Sequence, residues 1–210
     1  MISVVVPTLN AEAGLPRCFD SLIIATVRGV VREVIVADGG SSDDTLVIAD
    51  AAGARIKKAG RSRASQLIAG AAAARHDWLL FLHPETALDP GWETEVENFI
   101  ARTSLEHPRA AYFKFGLDDF DGGARRSEAF AAMRCALFAR PHGNQGLIVP
   151  KRLYKQLGGY REVAREDLDL VRRIGPRRLV MLRSRAVTKR AEKPAVGTAT
   201  IGATSGSLAG

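Results

Sequence analysis

Residues 34–45 read VIVADGGSSDDT. The β-branched and apolar half of this stretch suits a buried strand. Asp38 stands at its end. Gly39 and Gly40 let the chain turn and approach another group closely, and Ser41, Ser42 and Asp43 can cap a following helix. Strand, tight turn and helix start therefore follow one another without a gap, which is the grammar of an α/β sheet.

The same grammar extends in both directions. Upstream, Ile2–Val6 is a continuous apolar run that reads as a strand buried on both faces. Pro7-Thr8-Leu9-Asn10 breaks it. Leu15, Phe19, Leu22, Ile23 and Val27 then recur at helical spacing up to Gly29. Downstream, the pattern predicts a helix over 43–52, a short strand over 55–58, an alanine-rich helix over 62–74 and a strand over 78–82. Alternation of this kind implies a parallel sheet with helices on both faces. Beyond it, a helix is expected over 90–102, with Glu93 and Glu95 suiting its dipole. A strand follows over 110–117 and an amphipathic helix over 125–139. A strand is expected over 146–149, helices over 150–157 and 166–174, and a last strand over 179–182. From about residue 191 the chain is small, almost uncharged and without period, so a disordered or weakly attached tail is expected.

The chain has 210 residues, enough for one sizeable core. Residues 1–190 are read as a single domain, with a half over 1–105 and a second half over 106–190. No apolar run approaches the roughly 20 residues of a membrane span, and MISVVVP has neither the basic region nor the cleavage site of a signal peptide. Cys18 and Cys135 are read as core residues, and the cytoplasm is the expected compartment. Charge is uneven. Residues 1–124 hold 12 Lys and Arg against 17 Asp and Glu, and residues 125–193 hold 18 against 6. The basic half suits anionic lipid or a phosphorylated substrate. Nucleic acid is disfavoured, because clustered aromatics and a recognition motif are both missing.

In an open parallel sheet, ligands bind beyond the carboxyl ends of the strands, and four such ends carry polar motifs here. After the first strand come Pro7, Thr8, Asn10 and Glu12. After the second come Asp38 and Gly39. Arg63 and Gln66 lie one turn apart on the third helix, where a guanidinium can meet phosphate. The fourth motif is FLHPET, residues 81–86, with His83 and Glu85. Each has a plainer reading: Asp38 as a turn aspartate, HPET as a simple turn, and Glu166, Asp167 and Asp169 as acids opening a helix.

Together these segments resemble the family 2 glycosyltransferases of the GT-A fold, from residue 2 to about 185. VVVPTLNAE looks like the opening strand and donor loop. VIVADGGSSDDT looks like the second strand and turn. RxxQ…G at Arg63, Gln66 and Gly70 looks like the helix before the metal motif. GNQGLIVPKRLYKQLGGYRE and REDLDLVRRI look like the acceptor-side half, which would add a short helical segment to the sheet. The HxET motif and the Asn-Gln-Gly segment also resemble a bacterial branch of small transferases linked to arsenosugar or selenium-related gene sets.

The resemblance implies an inverting transfer of sugar from a nucleotide-diphosphate donor, a UDP-sugar by family habit, to a hydroxyl of a small-molecule or lipid-linked acceptor. It implies Pro7, Thr8, Asn10, Glu12, Asp38, Gly39, Arg63, Gln66 and His83 around the nucleotide sugar. Asp167 would be the general base beside Glu166, and Asn144 and Gln145 would lie towards the acceptor. Where the family has Asp-x-Asp, this chain has His83 and Glu85. Glu85 is still a hard oxygen ligand for Mg²⁺ or Mn²⁺. His83 cannot replace a carboxylate, but it can hydrogen-bond ribose or phosphate or ligate Mn²⁺. The competing expectation is a degenerate domain that binds a nucleotide or sugar and transfers nothing. The arginine-bearing helix over 125–139 could also touch the inner face of a membrane.

Overall fold

The computed structural model describes residues 1–104, 106–117 and 145–188. The expectations placed on Cys135, Asn144, the 125–139 helix and the tail from 191 lie outside the described residues.

Eight strands form one mixed sheet: β1 (Ile2–Thr8), β2 (Val31–Asp38), β3 (Arg55–Lys58), β4 (Trp78–Phe81), β5 (Thr86–Leu88), β6 (Ala110–Leu117), β7 (Leu147–Pro150) and β8 (Leu179–Thr188). Their order is β3-β2-β1-β4-β7-β6-β8-β5. The first four run parallel, β7 is antiparallel to β4 and β6, and β6 and β8 are parallel again. This is the α/β architecture of the GT-A fold.

Every residue of β1 is buried, so its apolar run serves two cores at once. Val4 and Val6 face a cluster built with α1 (Leu15–Asp20), α2 (Ile23–Val27), α3 (Thr45–Ala51) and α5 (Trp92–Arg102). Val5 faces the other side with Leu67 of α4 (Arg63–Ala73), Leu153 of α6 (Lys151–Gln156) and Leu170 of α7 (Glu166–Ile174). Gly70 lets α4 sit close to the sheet, because a Cβ there would lie 2.3 Å from Val5 Cγ1.

The chain runs from β1 outward through β2 and β3, then crosses back to β4 on the other side of β1. A crevice is expected at that reversal. Register brings the relevant ends level, with Thr8 opposite Asp38 and Val5 opposite Phe81.

Three expectations are corrected. The single helix over Leu15–Val27 is two helices. The carbonyl of Ser21 accepts from the Trp92 indole N–H at 2.9 Å, and the Ser21 hydroxyl donates back to Cys18 O at 2.7 Å. Past that break Leu22 stays in the core, but the rest of the expected stripe turns outward, leaving Ile23 54% and Val27 82% exposed. The last strand continues to Thr188, through Arg183 and Ser184. Their backbone N–H groups donate to the Glu95 carboxylate at 2.7 and 2.8 Å, which supports an irregularity that a polarity pattern hides. Glu95 therefore braces the sheet, and Glu93 pairs with Arg28 at 3.1 Å, so neither acid of α5 serves the helix dipole alone. The three-residue strand β5 starts at Thr86, the last residue of HPET, and has no counterpart in the sequence pattern; it exists through pairing with β8, 98 or more residues away along the chain.

Candidate active site

Two loops cover the crevice, and they are laced to each other by side chains. Asn10 adopts a left-handed backbone, φ 54°, tolerable for asparagine. Its backbone N–H donates to Ser41 Oγ at 2.9 Å, and its side-chain oxygen accepts from Ser42 N at 2.9 Å. Ala11 N donates to Thr45 Oγ1 at 2.8 Å, Glu12 N to Asp43 Oδ2 at 3.1 Å, and Asp44 N to Glu12 Oε2 at 3.0 Å. Asn10 and Glu12 thus hold the loop after β1 against the loop after β2.

Asp38 anchors the second loop from beneath. It is buried, and its carboxylate accepts from Thr8 Oγ1 at 3.1 Å, Ser41 Oγ at 2.5 Å, Gly40 N at 2.8 Å and Ser41 N at 3.0 Å. Burial pushes its pKa up, but these donors outweigh burial and the net shift is downward. Asp38 stays ionised and keeps the turn closed, with Thr8 committed to it. Gly39 has a separate task. A Cβ there would come within 2.3 Å of Gln66 Nε2 and 3.2 Å of Gly60 O, so the missing side chain makes room for the Gln66 amide. Gln66 is buried in turn and donates to Arg61 O at 3.2 Å.

Above this scaffold lies a cavity of about 360 Å³, lined by Pro7, Asn10, Arg61, Arg63, Gln66, His83 and Glu85 together with the backbone-rich stretch around Gly14. Gly14 packs on the HPET turn, where a Cβ would sit 3.0 Å from the Glu85 Cα. Six residues singled out from sequence thus share one wall. Thr8, Asp38, Gly39 and Glu12 support it from behind.

His83 and Glu85 differ sharply in setting. Glu85 is exposed at the cavity's rim. His83 is half-buried, and burial together with the nearby Arg63 charge lowers its pKa to about 4. Its Nδ1 accepts from the Glu85 backbone N–H at 3.3 Å. A neutral ring with Nδ1 so engaged carries its proton on Nε2, which makes it a hydrogen-bond donor and unsuited to bind metal through that atom. Among the described residues no three His, Cys, Asp or Glu side chains group around a cation. One exposed carboxylate fits a Mg²⁺ or Mn²⁺ that arrives with a diphosphate and takes most of its ligands from phosphate and water.

Asp167, on the first turn of α7, stands beside Arg63 and is joined to the cavity through it. Arg63 Nη2 lies 3.1 Å from its Oδ2, and Arg63 Nε lies 3.7 Å from Glu166 Oε1. The Tyr160 hydroxyl donates to Asp167 Oδ1 at 3.0 Å. Burial raises the Asp167 pKa most; Arg63 and the Tyr160 hydrogen bond oppose the rise, Glu166 adds to it, and the net shift is upward. A carboxyl so shifted is a better proton acceptor near neutral pH than an ordinary aspartate.

Tyr160 went unnoticed in the sequence although it sits within GGYRE. It is buried against Phe81, the last residue of β4, with ring centroids 4.9 Å apart, and its backbone N–H donates to the Tyr154 hydroxyl at 3.0 Å. Only its place in an aromatic trio with Phe81 and Tyr154 marks it, and that trio is assembled from distant segments. Gln145 is buried just ahead of β7 and donates to Phe113 O at 3.1 Å, so it braces β6. It lies two residues before Leu147, the partner of Phe81.

The model of glycosyl transferase family 2 matches residues 3–138. A stretch of 55 residues, 26% of this chain and 17% of the relative, is 53% identical to glucosyl-3-phosphoglycerate synthase of Mycobacterium tuberculosis. A stretch of 50 residues, 24% of this chain and 19% of the relative, is 46% identical to a PGL/p-HBAD biosynthesis glycosyltransferase of Mycobacterium bovis. The matches thus span less than a fifth of either relative. Among solved structures, the Mycobacterium tuberculosis synthase in complex with Mn²⁺ and UDP-glucose is similar over 93% of this chain and 72% of that one, with TM-score 0.68 and 22% identity. Its complex with Mg²⁺ and UDP is similar over 90% and 70%, with TM-score 0.65 and 21% identity. At these identities the likeness is one of fold.

Proposed function

This chain belongs to glycosyl transferase family 2, and we propose that it transfers a sugar, with inversion, from a nucleotide-diphosphate donor to an acceptor hydroxyl. The observation that carries the reading is the joining of the cavity to Asp167 through Arg63. The cavity lining offers two guanidinium groups, Arg61 and Arg63, and the His83 donor; against Arg63 stands a carboxyl with raised basicity.

The roles follow from the chemistry of each group. Asn10, Pro7 and Gln66 shape the nucleotide side of the cavity, on the base that Asp38, Thr8 and Gly39 keep closed. Arg61, Arg63 and the Nε2–H of His83 meet the diphosphate, whose negative charge grows as the bond to the anomeric carbon breaks. Glu85 would hold a Mg²⁺ or Mn²⁺, which when bound supplies further positive charge to the leaving group. The acceptor oxygen attacks the anomeric carbon from the opposite face, its proton passes to Asp167, and the bonding electron pair departs with the diphosphate. A UDP-sugar is the proposed donor, in line with the nucleotide bound by the structurally similar synthase. The acceptor is a hydroxyl compound, small or lipid-linked. No helix among the described residues is long and apolar enough to cross a membrane.

A second reading, nucleotide or sugar binding without transfer, draws on the single carboxylate at HPET. A thermal-shift panel of UDP, GDP, ADP, CDP and dTDP with and without Mn²⁺ separates the cases. At one hundred times its dissociation constant a ligand stabilises by about 2.7 kcal/mol, or roughly 5–10 °C here. A shift with one nucleotide, enlarged by Mn²⁺, is expected. No shift with any of the five would overturn the donor site.

A further inference from the structure

Arg63 stands at the junction of two sites. It lines the cavity, and it also sits 3.1 Å from Oδ2 of Asp167 and 3.7 Å from Oε1 of Glu166. Tyr160 fills Oδ1 of the same aspartate. Each oxygen of Asp167 thus already has one partner, and the Arg63 charge beside Oδ2 holds down the carboxylate's affinity for a further proton.

We propose that Arg63 is a positioning residue shared between donor and base: without nucleotide it pairs with Oδ2 of Asp167, and an arriving diphosphate draws its guanidinium into the cavity and away from the carboxylate. The proposal rests on the donor-site reading and adds an order of events to it. Asp167 becomes competent after the donor is seated.

Charge and exposure favour the exchange. The ion pair is half-buried, with 34% of the Arg63 side chain and 22% of the Asp167 side chain accessible, so water reaches both partners as the pair opens. A diphosphate presents several charged oxygens to a planar fork that binds them in pairs. The groups facing Asp167 act consistently. Arg63 of α4 lowers its pKa, as does the Tyr160 hydrogen bond from the segment between α6 and α7. Burial and Glu166 of its own helix raise it. Withdrawing Arg63 removes an opposing influence, so the carboxylate becomes more basic once the donor is seated. Tyr160 stays, held against Phe81 and Tyr154, and keeps the carboxyl oriented.

The test is a pair of crystal structures of the full chain, free and soaked with UDP, with inorganic pyrophosphate as a second probe. Arg63 is expected within hydrogen-bonding distance of a phosphate oxygen in the complexes and away from Asp167. A bound UDP or pyrophosphate with Arg63 still on Asp167 would overturn the proposal and leave the donor site standing. Failure of both probes to enter the cavity would overturn the two together. A carbon-13 titration of the Asp167 carboxyl supplies a readout that a merely structural Arg63 would not move. In the wild type, UDP is expected to displace the titration upward. In Arg63→Gln the titration starts higher and moves less. Equal displacement in both proteins contradicts the proposal.

Discussion

Glu33 offers the most quantitative test of the physical account, at the end of the sheet away from the cavity. It lies near the start of β2, with its side chain 7% exposed. Its Oε1 accepts from Ser3 Oγ at 2.6 Å and Arg75 N at 2.6 Å, and its Oε2 from Arg55. Burial would raise its pKa, but these donors and the Arg55 charge outweigh burial and lower it from 4.5 to about 2. A carboxylate depressed by that much contributes about 3 kcal/mol at neutral pH. The contribution is fully present above the unfolded-state value near 4.5 and is lost as pH falls through about 2. Glu33→Gln removes the charge while keeping the shape. It is expected to lower stability by about 3 kcal/mol at pH 7, or roughly 6–12 °C in Tm. Urea denaturation across pH 2–7 checks this, because wild type and variant should differ at neutral pH and converge at the acid end. Curves separated by a constant amount at every pH would refute the reasoning, since the loss would then come from packing rather than charge.

Other consequences concern the cavity. Gly39→Ala places a Cβ against Gln66 Nε2 and the Gly60 carbonyl; overpacking should cost about 1–3 kcal/mol and weaken nucleotide affinity, as a titration calorimeter would record. Glu85→Ala should leave a metal-independent nucleotide shift intact and abolish the increment due to Mn²⁺ in the thermal panel. Tyr160→Phe removes a hydrogen bond that lowers the Asp167 pKa, and Glu166→Gln removes a charge that raises it. The acid limb of the rate profile should therefore move to higher pH in the first variant and to lower pH in the second.

The elements most legible in the sequence are those whose causes are local. Ala110–Leu117 and Glu166–Ile174 have the expected bounds, because an aromatic-rich apolar run and an amphipathic period mark them locally. That the strand ends at Pro7, Asp38 and HPET lie near one another could be read from the sequence because an open parallel sheet gathers such ends in one crevice. What could not be read is the partnership of side chains across that crevice. The four donors around Asp38, the Arg63–Asp167 pair and the Tyr160 hydroxyl join residues between 2 and 104 positions apart, and no spacing encodes them. The break at Ser21 is hidden for the same reason, because its cause is the indole of Trp92.

The central claim is sugar transfer with Asp167 as base, and turnover tests it most directly. UDP-glucose and Mn²⁺ would be incubated with the wild type and Asp167→Asn over a panel of hydroxyl acceptors. UDP release and the anomeric configuration of the product would be followed by NMR. The account predicts an inverted product from the wild type and a loss of about 10²–10⁴-fold in rate for Asp167→Asn, with nucleotide binding unchanged. Wild-type turnover by Asp167→Asn, or a product that retains the donor's configuration, would contradict it.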